Sequence, residues 1–173
     1  MGKKEQGLGL SSERYKVIPR TLCFILSPDD DVLLIKGAPT KRIWPNLYNG
    51  VGGHVEPGED VYTAARREVR EETGLLVRQM RLRGVINITV QDRQGIMIFV
   101  FMARAESRAV APSNEGTLEW VPRDRLLSLD LVPDLPELLP RALDAPSDAD
   151  PFFGLYTYDE TERLVTRWVT PGK

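Results

Sequence analysis

A helical segment whose acidic side chains continue its apolar stripe is the strongest constraint in this sequence. In GGHVEPGEDVYTAARREVREETGLLV, residues 52–77, five acidic side chains fall between Glu59 and Glu72. An α-helix turns by about 100° per residue, so the phase of each side chain can be read from the sequence. Glu68 and Glu72 lie within the inward stripe, and Glu71 borders it. The apolar residues that define this stripe are Val61, Ala64 and Ala65.

Carboxylates on the inward side of a helix need a cation. Like charges at i and i+4, such as Glu68 and Glu72, repel each other, and burying an unpaired carboxylate costs several kcal/mol. A solvated helix with ion pairs is the alternative, and Arg67 with Glu71 fits it. Phase favours buried acids, because the side opposite the stripe holds Tyr62, Thr63, Arg66, Arg67 and Arg70. Converging oxygen ligands suit Mg²⁺ or Mn²⁺, so the segment predicts a divalent-cation site.

Apolar runs on both sides of this helix predict strands. RTLCFILS and DVLLIK, residues 20–27 and 31–36, form a predicted hairpin. RLRGVINIT and GIMIFVFMARA, residues 81–89 and 95–105, are two further strands joined by a polar turn. The core is therefore predicted to be a mixed sheet. The later predicted elements are a strand at 118–121, a short helix at 134–143 and a terminal hairpin at 152–169.

Length and charge limit the domain count and the partners. A chain of 173 residues with 42% hydrophobic content predicts one domain, residues 16–173, after a flexible arm, residues 1–15. A net charge of −2 gives no positive field for nucleic-acid polymers or anionic membranes. No apolar run approaches the roughly 20 residues that cross a bilayer. We therefore expect a small-molecule partner, a cytoplasmic location and a monomer or homodimer.

The acidic segment resembles the signature box of the Nudix family. That box is a Gly, five residues, a Glu, seven residues, and then Arg-Glu-apolar-any-Glu-Glu-any-Gly-apolar. The matching positions here are Gly53, Glu59, Arg67, Glu68, Val69, Glu71, Glu72, Gly74 and Leu75. No position departs from the pattern. The resemblance implies an α/β fold, the Nudix αβα sandwich, with a mixed β-sheet and the Nudix loop-helix-loop.

The resemblance also implies an enzyme that hydrolyses a diphosphate linked to a nucleoside or similar group, with Mg²⁺ as cofactor and Mn²⁺ as a substitute. Catalytic roles are implied for Glu68, Glu71, Arg67 and Glu59, with Arg67 and Glu59 as orienting residues. Which acid deprotonates the attacking water stays open. The implied metal ligands are Gly53, through its carbonyl, Glu68, Glu71, Glu72 and Glu115. Glu119 competes with Glu115 for the last position, but it alternates with apolar neighbours on a short strand.

Substrate-binding residues are suggested by a branch of the family that removes oxidised purine nucleoside triphosphates. In that branch an Asn before the glycines reads the base edge, which matches Asn49, and a loop carrying Pro and Asp matches Asp134. Lys36 is a candidate for phosphate contact, with a solvated strand end as the alternative. Trp44 is the candidate for stacking on the base, with Tyr48 and Phe153 as its competitors and a core position as the alternative for each. One position departs from the branch, since Val132 stands where a Trp can precede the Pro.

The sequence therefore predicts a Mg²⁺-dependent hydrolase that converts a nucleoside triphosphate, such as 8-oxo-dGTP, into monophosphate and pyrophosphate. Within enzymes, the alternative is a pyrophosphatase for ADP-ribose or another nucleoside diphosphate-sugar. The alternative of another class is a non-catalytic nucleotide-sensing module on the same fold. The intact box favours the enzyme.

Overall fold

The computed structural model describes residues 14–169 and residue 171, and its strands form one sheet. The predicted flexible arm lies outside the described residues except for its last two positions. None of the described helices is long and apolar enough to cross a membrane. The strands are β1 (Lys16–Leu26), β2 (Val32–Gly37), β3 (Tyr48–Asn49), β4 (Val77–Gln91), β5 (Gln94–Ala105), β6 (Gly116–Val121), β7 (Phe152–Tyr158) and β8 (Leu164–Val169). The helices are α1 (Val61–Thr73), α2 (Leu135–Leu143) and a 3-10 helix at Arg123–Ser128.

The sheet has the order β3-β2-β1-β5-β4-β7-β8, and β6 pairs with β2. β1 is parallel to β5 and β4 is parallel to β7, while the other pairs are antiparallel. The predicted mixed sheet is therefore confirmed, as are the hairpins β1–β2, β4–β5 and β7–β8. Two elements were not predicted, β3 and the 3-10 helix. β3 has only two residues and exists because Tyr48 and Asn49 pair with β2, which no local pattern reveals.

Side chains of β1 alternate between two apolar clusters on opposite faces of the sheet. Leu22 and Phe24 belong to the cluster beneath α2. Cys23 and Ile25 belong to the cluster beneath α1, and Cys23 is fully buried. A strand places successive side chains on opposite faces, so one buried strand supplies both clusters. The result is the predicted three-layer αβα arrangement.

Both ends of α1 are fixed by side chains or backbone that the sequence supplies locally. Asp60 is the N-cap, and its carboxylate accepts hydrogen bonds from the backbone amides of Tyr62 and Thr63 at 2.9 and 3.0 Å. Gly74 ends the helix in the left-handed region with φ 72°, where a side chain would be strained. These caps set where α1 begins and ends, and hence which of its side chains face the sheet.

Candidate functional site

The inward face of α1 changes from apolar to acidic along its length. Its buried residues are Ala64, Ala65, Val69 and Thr73. Glu68 is only 14% exposed and Glu72 is half-buried, so the predicted inward direction of these two acids is confirmed. Glu71 borders the stripe as expected, and its side chain is 60% exposed.

Arg67 reaches the acids although helical phase assigns it to the opposite side. Its Nη2 and Nε atoms donate to the two carboxylate oxygens of Glu59 at 2.7 and 3.2 Å, and its Nη2 also donates to the His54 carbonyl at 3.0 Å. Its Nη1 donates to Glu68 at 2.8 Å and to Glu71 at 3.1 Å. The long side chain therefore runs back across the helix and is only 28% exposed. The placement of Arg67 on the solvated side was wrong for this reason.

The contact between Arg67 and Glu59 is a bidentate ion pair. Hydrogen bonds from Arg67, and then from the backbone of Glu56, hold the pKa of Glu59 below its usual value. Hydrogen bonds to Glu59, and then to Glu68, raise the pKa of Arg67. Both groups are thus fully charged at neutral pH. The pair joins the loop before α1 to the middle of the helix and orients Glu68.

Glu72 carries a charge that the chain itself satisfies poorly. Burial, and then the charges of Glu68 and Glu115, raise the pKa of Glu72 to about 7. Two groups act in the opposite direction: the Gly52 amide, which donates to Oε2 at 3.4 Å, and the more distant charge of Lys41. A carboxylate that is buried next to two others keeps its proton unless a cation compensates.

Gly53 lies directly against the Glu68 carboxyl group. A Cβ atom at Gly53 would come within 2.5 Å of the Glu68 Cδ and Oε1 atoms, so a side chain here would displace that acid. The Gly53 carbonyl accepts a hydrogen bond from the Thr21 amide at 2.8 Å, which fixes the loop on β1. That oxygen keeps a second lone pair for another partner.

The structure brings Glu115, rather than Glu119, toward the acids of α1. Glu115 precedes β6 and forms an ion pair with Lys41, with Nζ 2.5 Å from Oε2. Its charge also contributes to the raised pKa of Glu72. Glu119 instead accepts a hydrogen bond from the Tyr48 hydroxyl at 2.9 Å. Glu68, Glu72 and Glu115 are therefore called the acidic cluster below.

The donor chemistry of the acidic cluster fits a divalent cation. Within residues 14–169 no three acidic, imidazole or thiol side chains converge tightly enough to form a ready-made metal site. Two of the acids are held by cations of the chain, Glu68 by Arg67 and Glu115 by Lys41. The charges of Glu68 and Glu115 nevertheless both contribute to the raised pKa of Glu72. Carboxylate oxygens beside a backbone carbonyl are ligands that Mg²⁺ and Mn²⁺ accept.

Three of the predicted substrate-binding residues, Asn49, Asp134 and Lys36, lie on segments that contact Tyr48. The backbone of Tyr48 forms a bridge with Leu131, which brings the strand that carries Asn49 next to the segment that leads to Asp134. The Asn49 Oδ1 atom accepts from the Gly50 amide at 2.8 Å. Lys36 lies over the Tyr48 ring, with Nζ 5.3 Å from its centroid.

Trp44 lies apart from these residues in the loop between β2 and β3. It is 46% exposed and has a φ of 57°, which is uncommon for a residue other than glycine. Among the described side chains, no aromatic contact or hydrogen bond joins its ring to Asn49 or Asp134. Its role in stacking stays a prediction.

Asp134 and Tyr156 are buried polar residues that lie near each other, which the sequence did not reveal. Burial raises the pKa of Asp134. Burial, and then the charge of Asp134, raise the pKa of Tyr156. Tyr156 is only 1% exposed, and its hydroxyl makes no hydrogen bond of ordinary geometry within the described chain. The residues lie on different elements, so no sequence spacing could have paired them; the same holds for Lys41 and Glu115.

Comparison with known families and structures agrees with this geometry. A family described as the NUDIX domain matches residues 16–142. The crystal structure of a mutator MutT protein from Bacillus halodurans superposes with a TM-score of 0.70 over 88% of this chain and 97% of that one, at 24% identity. That likeness concerns the fold. The predicted αβα sandwich is confirmed.

Three relatives are similar in sequence. The uncharacterized Nudix hydrolase YvcI of Bacillus subtilis (strain 168) is 33% identical over 63% of this chain and 69% of that protein. The 8-oxo-dGDP phosphatase NUDT18 of Mus musculus is 34% identical over 64% of this chain, which spans only 34% of that protein. The oxidized purine nucleoside triphosphate hydrolase of Mus musculus is 30% identical over 66% of this chain and 72% of that protein.

Proposed function

Because the chain belongs to the Nudix family of hydrolases, we propose that it uses Mg²⁺ to hydrolyse a nucleoside triphosphate, 8-oxo-dGTP, to the monophosphate and pyrophosphate. The single observation that carries the proposal is the acidic cluster. Burial and two neighbouring acids raise the pKa of Glu72 to about 7, a state that a bound cation relieves. The Nudix box and the fold supply the reaction class.

The proposed metal ligands are the acidic cluster and the Gly53 carbonyl, with Glu71 at the outer edge. When bound there, Mg²⁺ neutralises charge on the phosphate oxygens and lowers the pKa of the attacking water. Mn²⁺ would be accepted by the same oxygen ligands. A side chain at position 53 would displace the Glu68 carboxyl group, because its Cβ atom would lie 2.5 Å from Oε1.

Arg67 and Glu59 act as positioning residues in this mechanism. Arg67 holds Glu68 at 2.8 Å and Glu71 at 3.1 Å, and its own position is fixed by the bidentate pair with Glu59. The attacking water gives its proton to a glutamate of α1, for which Glu68 and Glu71 are the candidates. Arg67 contacts both, so its removal should affect the proton transfer whichever acid accepts the proton.

The proposed base pocket lies between Asn49 and Asp134, whose segments are joined by the bridge from Tyr48 to Leu131. An Asn side chain offers a donor and an acceptor to a purine edge. Burial raises the pKa of Asp134, and its carboxyl group adds hydrogen-bonding oxygens for the edge of an oxidised purine. Two relatives are named for oxidised guanine or purine nucleotides, which supports the same class of substrate. Lys36 and Trp44 are the remaining proposed substrate contacts.

A turnover screen tests this function. The full chain is incubated with Mg²⁺ and 8-oxo-dGTP, 8-oxo-dGDP, dGTP, ATP or ADP-ribose, and the products are separated by chromatography. We expect the highest kcat/KM for 8-oxo-dGTP, with monophosphate and pyrophosphate as products. Preference for ADP-ribose would leave the hydrolase chemistry intact and overturn the pocket of Asn49 and Asp134. Lack of turnover on every nucleotide would favour the sensing module.

Other properties stay predictions from composition. They are a cytoplasmic location, a monomer or homodimer, and a small nucleotide rather than a nucleic-acid polymer or a membrane as partner. The net charge of −2 is the observation behind the last of these.

A further inference from the structure

Lys41 connects two loops at the edge of the acidic cluster. It lies in the loop between β2 and β3, and its Nζ atom is 2.5 Å from Oε2 of Glu115, in the loop before β6. The same loops are joined by the backbone, since the Ala38 amide donates to the Glu115 carbonyl at 3.2 Å. The contact of Lys41 with Glu115 is thus not required to hold the loops together.

The ammonium group of Lys41 lies beside acids that are proposed to bind a metal ion. It contacts one acid of the cluster directly, and its charge lowers the pKa of a second, Glu72. The pair is open to solvent, with side-chain exposures of 36% for Lys41 and 50% for Glu115. Ion pairs of this exposure are weak and exchange readily.

We propose that Lys41 contacts the phosphates of the substrate, and that a divalent cation bound by Glu115 releases it for this purpose. The inference rests on the proposed function, because it assumes that Glu115 is a metal ligand. A divalent cation and an ammonium group repel each other when they share one carboxylate. The divalent cation has the larger charge, so it displaces the ammonium group. A polyphosphate brings several negative charges to the same place and gives the released ammonium new partners.

The side chain of Lys41 suits such an exchange. A lysine carries a compact charge on a flexible four-carbon stem and binds phosphate as a point charge. Its backbone amide donates to the Ala38 carbonyl at 3.0 Å, so the base of the side chain stays in place while the ammonium moves. The competing explanation is that Lys41 supports the Glu115 loop, in which case its loss would weaken metal binding.

The first experiment measures Mn²⁺ binding to the full chain by calorimetry, without nucleotide. We expect Lys41→Met to bind Mn²⁺ about threefold to tenfold more tightly than the unmodified chain, because a competing positive charge is gone. Arg42→Met is the matched control, since it removes the same charge from an exposed neighbour that makes no ion pair within residues 14–169. That control should change the Kd by less than about twofold.

The second experiment measures binding of inorganic triphosphate to the Mn²⁺-loaded protein. Here Lys41→Met should bind about tenfold more weakly, and Arg42→Met should be nearly unchanged. Opposite signs in the two experiments identify exchange of Lys41 between Glu115 and phosphate. Unchanged or weaker Mn²⁺ binding in Lys41→Met, or unchanged triphosphate binding, would overturn the inference.

These readouts also separate this inference from the proposed function. If Mn²⁺ and triphosphate binding behave as expected but no nucleotide is hydrolysed, the exchange stands and the enzymatic proposal fails. If the unmodified chain binds no Mn²⁺, both fail, because no cation is then available to release Lys41. Nucleotide turnover with a Kd for Mn²⁺ that Lys41→Met leaves unchanged rejects only the exchange.

Discussion

The two helical layers cover the same sheet with opposite chemistry. α1 buries small residues, which bring its backbone close to β1, and two carboxylates then continue the same face. α2 is shorter, and its buried face is entirely apolar: Leu135, Leu138, Leu139, Ala142 and Leu143. Burial of apolar surface is the main favourable term in folding. The buried face of α2 therefore contributes to stability along its whole length. In α1 two acids replace part of the apolar face, so this helix contributes less.

A buried charged group near α2 has more hydrogen-bond partners than one on α1. At the end of α2, Arg83 is 4% exposed and donates to the carbonyls of Ala142, Ala145 and Pro146 at 2.7–3.0 Å. The Ala142 carbonyl belongs to the last turn of α2, whose negative end favours a cation, and the other two belong to the segment that follows the helix. At α1, Glu72 has only a long contact with the Gly52 amide. The charge of Arg83 is satisfied within the chain, whereas that of Glu72 needs a ligand.

The largest expected effect comes from Glu72→Gln. This change removes a proposed metal ligand, so turnover should fall by about 10³-fold. The metal-free protein should become more stable at pH 8, by about 1–3 kcal/mol, because the pKa of Glu72 is raised to about 7 and its ionisation opposes folding. The stabilisation appears as pH rises from the unfolded pKa of about 4.3 through 7, and it is absent well below pH 4. Denaturant unfolding and a turnover assay measure the two effects.

Glu119→Gln is the matched control for that prediction. It removes an acid that bonds to Tyr48 and not to the acidic cluster. Turnover should stay within a few-fold of the unmodified chain. Near-normal turnover in Glu72→Gln would reject the assignment of α1 as the functional layer.

Leu138→Ala tests the opposite layer and has the next largest effect. Leu138 is a fully buried residue of α2, so truncation should lower the free energy of unfolding by about 2–5 kcal/mol. The fraction that remains folded should keep its kcat, because no acid of α1 is disturbed. Loss of kcat without loss of stability would contradict the division between the layers.

The pH dependence of metal binding gives a smaller effect. The pKa of Glu72 is raised to about 7, so the metal must displace a proton at lower pH. Mn²⁺ binding should therefore be about tenfold weaker at pH 6 than at pH 8. Calorimetry in buffers of different ionisation enthalpy would detect the released proton. The dependence should largely vanish in Glu72→Gln, and its persistence there would assign the proton to another group.

Tyr156→Phe has the smallest expected effect. The hydroxyl is buried and makes no hydrogen bond of ordinary geometry within the described chain. Removing it should change the free energy of unfolding by less than about 1 kcal/mol. A loss above about 1.5 kcal/mol would show that the hydroxyl bonds to Asp134 in solution, and the α2 layer would then contain a coupled polar pair.

Local patterns in the sequence predicted the parts of the fold that local physics decides. The phase of Glu68 and Glu72 follows from helical geometry, and the three hairpins follow from apolar runs next to polar turns. The parallel pairings β1·β5 and β4·β7 join strands that are distant in the chain, so no local pattern reports them.

The site divides in the same way. Glu59 and Arg67 could be matched because they lie in one motif. Helical phase, which fixes only the direction in which a side chain leaves the helix, did not predict that Arg67 reaches back to Glu59. Lys41 and Glu115 meet only because β2 and β6 pair along their length, which places their flanking loops side by side. Long-range pairing of this kind is a property of the folded sheet.

The burial of Cys23 provides a way to observe opening of the α1 layer directly. It is the only cysteine in the sequence, and its Sγ atom lies 3.9 Å from the Ala65 carbonyl beneath α1. Burial, and then the charges of Glu72 and Glu68, raise the pKa of this thiol to about 12. An alkylating reagent reacts with the exposed thiolate, so modification requires that α1 first separate from the sheet. The alkylation rate therefore reports the opening equilibrium of this one layer, and Mg²⁺ bound to the acids should slow it.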